Sequence, residues 1–354
     1  MSESDVIPVR AEERLDEASL AAFLKGRLPL AGEPLAVEQF GGGHANLTYL
    51  LRFGAGEGAA EYVLRRPPLG PVAPGSHDMQ REYRALSQLW RAFPPAPRAY
   101  LYCDDLAVIG APFVVMERRR GVVVRGSVPE CYGGGRDEAA NRKLSEVVVD
   151  TLALLHAVDP EPLGLDALGR DPERFLERQL AGWLDRYRRA QTRPLAEADE
   201  LVGWLERQRP VSPAPTLLHN DWRLDNMALD PADPGRCTAV YDWDMCTIGD
   251  PLADLGTLLA LWSNRGQAPA GTNPMPTQTP GFMTREEAVA RYGERSGRDV
   301  SGAAWYDVFG TFKMAVVLQQ IYFRFAKGQT RDARFAGLEG AAAALFQLAA
   351  SRRP

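Results

Sequence analysis

The stretch LLHNDWRLDNMALDPADPGRCTAVYDWD, residues 217–244, decides how the chain is read. Its apolar runs at 217–218, 227–229 and 238–241 are bounded by turn-forming residues, a pattern that predicts short strands. The loop between the first two carries His219, Asp221 and Asn226, and the third ends in Asp242, with Asp244 beyond it. A hairpin turning through 230–236 puts Asn226 and Asp242 at matching distances from a centre near residue 234, facing each other at its open end. An amide oxygen beside a carboxylate makes a hard-oxygen pocket suited to Mg²⁺. Asp221, a loop away, is placed to accept or orient a hydroxyl proton. Turns favour Asp and Asn in any protein, so singly these residues say little. The set H-x-D-x₄-N, followed sixteen residues on by an Asp that closes a strand, points to a site.

The 354 residues suffice for two domains or lobes with a large core. A content of 45% hydrophobic and 25% charged residues is ordinary for a globular protein. The net charge of -5 argues against general nucleic-acid binding. Cys103, Cys131, Cys237 and Cys246 are widely spaced with no C-x-x-C pair, which fits reduced thiols in a cytoplasmic protein. No signal core or apolar run of membrane-spanning length is seen, so no membrane partner is expected.

HNDWRLDN followed by YDWDMCTIGDPLADLG resembles the catalytic segment of the aminoglycoside phosphotransferase family, a branch of the protein-kinase-like fold. It is most similar to the kinase-like domains found ahead of acyl-CoA dehydrogenases in some fusion proteins. The resemblance implies an α+β, bilobal protein-kinase-like fold. Residues 1–117 form a small, mainly β N-lobe and residues 118–354 a larger, mainly helical C-lobe. It also implies ATP (or GTP) and Mg²⁺, with Asp221 as the catalytic aspartate and Asn226 and Asp242 on the metal. By the same resemblance His219, Asp244 and Asp254 brace the loops.

Residues 35–53 read as two strands around glycines 41–43. Glycine lets backbone N–H groups approach a phosphate closely. Within the family pattern G-G-x-S-N-x-T-Y, Gly42, Gly43, Asn46, Thr48 and Tyr49 match and Ala45 replaces the usual serine; His44 lies in the same loop. Residues 61–68 form a strand on which Val63 and Arg65 share a face. Arg65 stands where the kinase pattern has its phosphate-holding lysine, and the two are not equivalent. Residues 77–90 read as a helix with Met79, Glu82, Leu86 and Leu89 on one face. A carboxylate on an apolar face needs a buried partner, and Arg65 is the natural one. Residues 111–121 run from apolar strand into charge. By resemblance 116–118 form the hinge, where the backbone of Glu117 and Arg118 would contact adenine. A loop read as mobile follows at 125–137.

Farther on, residues 144–156 belong to an amphipathic helix with His156 as a structural residue near its end. Asp171–Pro172 and Asp250–Pro251 signal helix starts. Residues 263–283 read as a lid-like loop, Thr284 and Glu287 as a capping box, and 301–350 as helical. Across 170–193 seven arginines stand against four carboxylates, and 118–120 add three more. Arginine excess near a cleft suits an anionic acceptor, although a solvated helix face gives the same pattern. The resemblance to the domains ahead of acyl-CoA dehydrogenases implies transfer of the γ-phosphate to a hydroxyl of a small anionic metabolite, such as a hydroxyacyl-CoA, and the arginine excess disfavours an aminoglycoside. A nucleotide-binding pseudokinase and a metal-dependent hydrolase are the alternatives.

Overall fold

The computed structural model describes residues 6–41, 46–70, 77–264, 275–330 and 332–354. The alternating runs of the first third become an antiparallel sheet. Its strands are β1 (Val6–Ile7), β2 (Leu35–Phe40), β3 (Leu47–Phe53), β4 (Ala60–Arg66), β5 (Ala99–Cys103) and β6 (Phe113–Glu117), in the spatial order β1-β2-β3-β4-β6-β5. Arg65 of β4 lies opposite Thr48 on one side and Val114 on the other, which fixes it in the middle of the sheet. Tyr49, Leu51, Phe53, Leu64, Phe113 and Val115 form a core with Leu20 and Leu24 of α1 (Glu17–Leu24). Helix α2 (Met79–Leu89) starts where the Asp78 side chain accepts from the Arg81 N–H, 2.9 Å. It buries Met79, Glu82, Ala85, Leu86 and Leu89. A one-turn α3 (Leu106–Ile109) precedes β6.

The later part is mainly helical: α4 (Glu138–His156), α5 (Phe175–Ala190), α6 (Ala196–Arg207), α7 (Pro251–Ala260), α8 (Arg285–Ser296), α9 (Ala303–Ala326) and α10 (Leu338–Ser351). Two small antiparallel ribbons interrupt it. Strand β7 (Thr216–Leu218) pairs with β10 (Thr247–Gly249), and β8 (Met227–Asp230) pairs with β9 (Asp233–Val240). Helix α9 packs on α7, α10 and α5, and α4 packs on α8. Asp250 caps α7 through the Leu252 N–H, 2.9 Å, and both bonds of the Thr284/Glu287 capping box are made.

Three details depart from the sequence expectations. The β8–β9 turn is 231–232, not centred near 234, so the symmetric spacing of Asn226 and Asp242 about the turn is lost. Asp230 favours the tighter turn by accepting from the Ala232 N–H at 2.8 Å. Asp171 adopts a left-handed conformation and caps nothing with its side chain, and a short 3₁₀ turn precedes α5. The stretch 125–137 is exposed over much of its length but anchored at two points: Val128 and Tyr132 are buried, and the Tyr132 hydroxyl donates to the Asp230 carbonyl at 2.8 Å. Of the lid-like stretch, 265–274 lie outside the described residues.

The chain divides into two compact units. One comprises 1–120, 163–168 and 239–246, and the other 121–162, 169–238 and 247–354. Asp242 and Asp244, which the sequence reading gave to the C-lobe, thus belong to the first unit. Among the described residues no helix is long and apolar enough to cross a membrane.

Candidate active site

In the first unit, Arg65 joins two carboxylates. Its Nη1 donates to Glu82 Oε1 at 2.5 Å and its Nη2 to Asp242 Oδ1 at 2.7 Å. Arg65 on β4 and Glu82 on α2 are both buried. The pairing with Glu82 is the one strand parity and helix spacing anticipated; Asp242 adds a third member. Burial works against the arginine's charge, but the two carboxylates hold its pKa above the ordinary value. Burial also pushes the Glu82 carboxyl up, to about 7, against the pull of Arg65. Asp242 itself has a φ of 68°, an uncommon backbone state for a residue with a side chain. The Trp243 N–H donates to Glu82 Oε1, 3.3 Å, and so ties this segment to α2.

A second network runs beside it. His77 Nδ1 meets Asn46 Oδ1 at 2.8 Å, and Asn46 Nδ2 donates to Asp244 Oδ2 at 3.1 Å. Asn46 thus links the end of the glycine-rich segment to the segment bearing Asp242. Because its partner is an amide oxygen, His77 donates from Nδ1. Burial and the neighbouring Asp242 charge raise the Asp244 pKa. Nothing in the sequence pattern singled out His77.

In the second unit, the loop after β7 is organised by Asp254 of α7. The Asp254 carboxylate accepts from the backbone N–H of His219 at 2.7 Å and of Asn220 at 2.8 Å. Asn220 has a φ of 67°, which these two bonds help to hold. His219 Nδ1 accepts from the Asp221 N–H at 3.2 Å, so the imidazole braces the next peptide. Trp222 fills the core under the loop and donates from Nε1 to the Val148 carbonyl, 2.9 Å. Asn226 Nδ2 closes the loop by donating to the Asp221 carbonyl, 2.9 Å, and to Asp221 Oδ2, 2.8 Å.

Behind the loop, His156 lies between Tyr292 Oη, 2.7 Å, and Asp254 Oδ2, 3.4 Å. Burial lowers the His156 pKa despite the pull of Asp254. A neutral imidazole donating from Nε2 to Asp254 and accepting at Nδ1 from Tyr292 satisfies both contacts. Burial works to raise the Asp254 pKa, but the donors from His156 and His219 outweigh it and hold it below the ordinary value.

These groups divide the chemical tasks. The two bonds from Asn226 Nδ2 turn its Oδ1 away from Asp221, leaving an amide oxygen of the type Mg²⁺ prefers; Asp242 offers a carboxylate of the same hard character. Among the described residues no group of three or more His, Cys, Asp or Glu gathers as a metal cluster. Asn226 and Asp242 belong to different units, and each oxygen by itself is of the hard kind that Mg²⁺ takes. Gly42, Gly43, His44 and Ala45 lie outside the described residues. Glu117 ends β6 with its carboxylate accepting from the Arg98 N–H, 3.1 Å, and paired to Arg119, 2.9 Å. Arg118 lies over the Phe40 ring, 5.2 Å from its centroid. The arginines of 170–193 are exposed and several are paired with carboxylates, as in Arg174–Glu177, Arg188–Glu206 and Arg189–Asp185. They do not carry the case for an anionic acceptor.

An antiparallel sheet followed by a helical region, with an aspartate and asparagine on a loop braced from behind, defines a kinase-like phosphotransferase fold of the α+β class. The chain belongs to the phosphotransferase enzyme family (APH), which its residues 36–299 match. Among known proteins it is 33% identical over 334 residues to acyl-CoA dehydrogenase family member 11 of Gallus gallus, covering 90% of this chain and 41% of that protein. The chain therefore spans less than half of that relative. A solved structure named as an aminoglycoside phosphotransferase, from Ralstonia eutropha, is 28% identical, with a TM-score of 0.79 over 96% of this chain and 98% of that one. Choline kinase from Cryptosporidium parvum shares the fold at 11% identity, with a TM-score of 0.64 over 95% of each chain.

Proposed function

We propose that this protein is a small-molecule kinase, moving the γ-phosphate of ATP or GTP to a hydroxyl of a small anionic metabolite such as a hydroxyacyl-CoA. The observation that carries the reading is the loop in which Asp254 fixes two consecutive peptides and Asn226 holds the Asp221 carboxylate. Asp221 so held is suited to orient an acceptor hydroxyl and take its proton. Asn226 and Asp242 are the proposed metal ligands. Mg²⁺ bound there would neutralise phosphate charge. Arg65, held charged by Glu82 and Asp242, is assigned to the phosphates with Gly42, Gly43, His44 and Asn46. The backbone at Glu117 and Arg118 is assigned to the base. His219, Asp244 and Asp254 brace the loops.

The acceptor class draws on names: a relative named as an acyl-CoA dehydrogenase family member supports an acyl-CoA-like metabolite. Neighbours named for aminoglycosides and choline support small molecules generally. No nucleic-acid or membrane partner is part of the proposal. The test is a transfer screen with γ-labelled ATP against hydroxyacyl-CoA esters, hydroxy acids and aminoglycosides. Mg²⁺-dependent labelling of a hydroxyacyl compound is expected. Tight Mg·ATP binding with no labelled product would favour the pseudokinase reading instead.

A further inference from the structure

Helices α7 and α9 touch backbone to backbone. A Cβ on Gly256 would come within 2.3 Å of the Tyr306 carbonyl oxygen, and one on Gly310 within 2.2 Å of the Gly256 carbonyl oxygen. Only glycine permits this approach. Its consequence lies one residue past Gly256 and three past Gly310, where Lys313 Nζ donates to Thr257 Oγ1 at 3.0 Å. Thr257 lies three residues after Asp254, so the contact brings an ammonium to the helix that holds the catalytic loop.

This placement is unusual for a lysine. Its fixed partners are a neutral hydroxyl and the Phe309 ring, whose centroid is 5.5 Å from Nζ, and among the described residues no carboxylate lies in salt-bridge contact with it. An ammonium has three donors, and one is used. Burial lowers its pKa to about 8, while the charges of Asp254 and Asp221 act to raise it. The Asp221 charge thus reaches an amine with hydrogen-bonding capacity to spare. One hydroxyl and one ring face leave two of the three N–H donors for another partner, and desolvating an amine costs free energy that such a partner would offset.

We propose that Lys313 is a specificity residue whose ammonium holds an acyl oxygen of the acceptor, a carboxylate or a thioester carbonyl, while Asp221 takes the hydroxyl. The inference rests on the kinase reading and adds to it the chemistry the acceptor carries near its hydroxyl. A compound with a hydroxyl but no acyl oxygen leaves the ammonium without its partner and is a poor substrate. Arginine at this position keeps a cationic donor; methionine keeps the length and removes it.

The test compares wild type, K313R and K313M, each first measured for Mg·ATP affinity. Each is then given three probes: 3-hydroxybutyrate, its CoA thioester and butane-1,3-diol. In the wild type, kcat/KM for at least one acyl probe should exceed that for the diol about ten-fold or more, the scale of one charge-assisted hydrogen bond. K313M should bring that ratio to near one through a raised acceptor KM, with Mg·ATP affinity unchanged, and K313R should keep much of it. The acyl probe preferred by the wild type identifies the source of the oxygen. Mg·ATP binding without an acyl preference, or a preference that K313M retains, overturns the inference alone. Failure of the wild type to bind Mg·ATP overturns the kinase reading and this inference with it.

Discussion

Arg65 and Asp254 each stand at the centre of a buried polar cluster, but they are satisfied in different ways. Arg65 is held by side chains, the carboxylates of Glu82 and Asp242. Asp254 is held by main-chain donors, the N–H groups of His219 and Asn220, backed by the His156 ring. The first arrangement ties together segments distant in sequence through charge. The second fixes the path of one loop and leaves the Asp221 side chain to Asn226. A charge cluster of the first kind suits a phosphate site, where a cation must be kept charged. A backbone clamp of the second kind suits a catalytic loop, where position matters more than field.

The contrast predicts different costs of damage. Arg65→Met leaves Glu82 buried without its cation, and breaking a buried pair from one side costs about 3–5 kcal/mol. Because burial already raises the Glu82 pKa, the variant's stability should be best retained at low pH and fall as pH rises through the raised value. Urea unfolding at several pH values measures this. A loss that does not grow with pH would show that Glu82 is not charged in the native pair.

Asp254→Asn can accept from only one of the two loop N–H groups through its remaining oxygen. It should cost about 1–3 kcal/mol for the donor left unpaired. Hydrogen exchange at His219 and Asn220 should accelerate while exchange in α4 and α8 stays slow. Gly310→Ala strains the α7–α9 contact and should cost about 1–3 kcal/mol in thermal unfolding.

The smallest effect concerns His156. Its folded pKa is lowered from 6.5, so its neutral form adds stability above that value, and the contribution is lost as pH falls through the lowered pKa. His156→Gln should therefore show a flatter acid limb than wild type below about pH 6.5. The Asp254 carboxyl is held below its ordinary range, and Asp250, raised by burial, is present in both proteins, so the difference between them reports His156.

The same contrast explains what the sequence made legible. The Arg65–Glu82 pair was readable because strands alternate sides and helices return to one face every three or four residues. Asp242 as its third partner was not, because periodicity assigns faces and not contacts between separate elements. Asp254 was placed as a brace only through family resemblance, since backbone N–H acceptors leave no mark in residue pattern. The β8–β9 hairpin was misjudged for a local reason. Asp-Pro occurs at both 230–231 and 233–234, and each is a turn signal. The first makes the turn, and Pro234 is absorbed into β9, which a two-stranded ribbon tolerates because one of its edges needs no donor.

The central claim is that Asp221 serves the acceptor and not the nucleotide. Asp221→Asn keeps the side chain's size and an oxygen while removing its basicity. Mg·ATP affinity and γ-phosphate transfer, measured on the same preparation of this variant, test the claim most directly. The account predicts affinity within about two-fold of wild type and transfer slowed by roughly 10²–10⁴. Collapse of Mg·ATP affinity, or transfer at the wild-type rate, would contradict it.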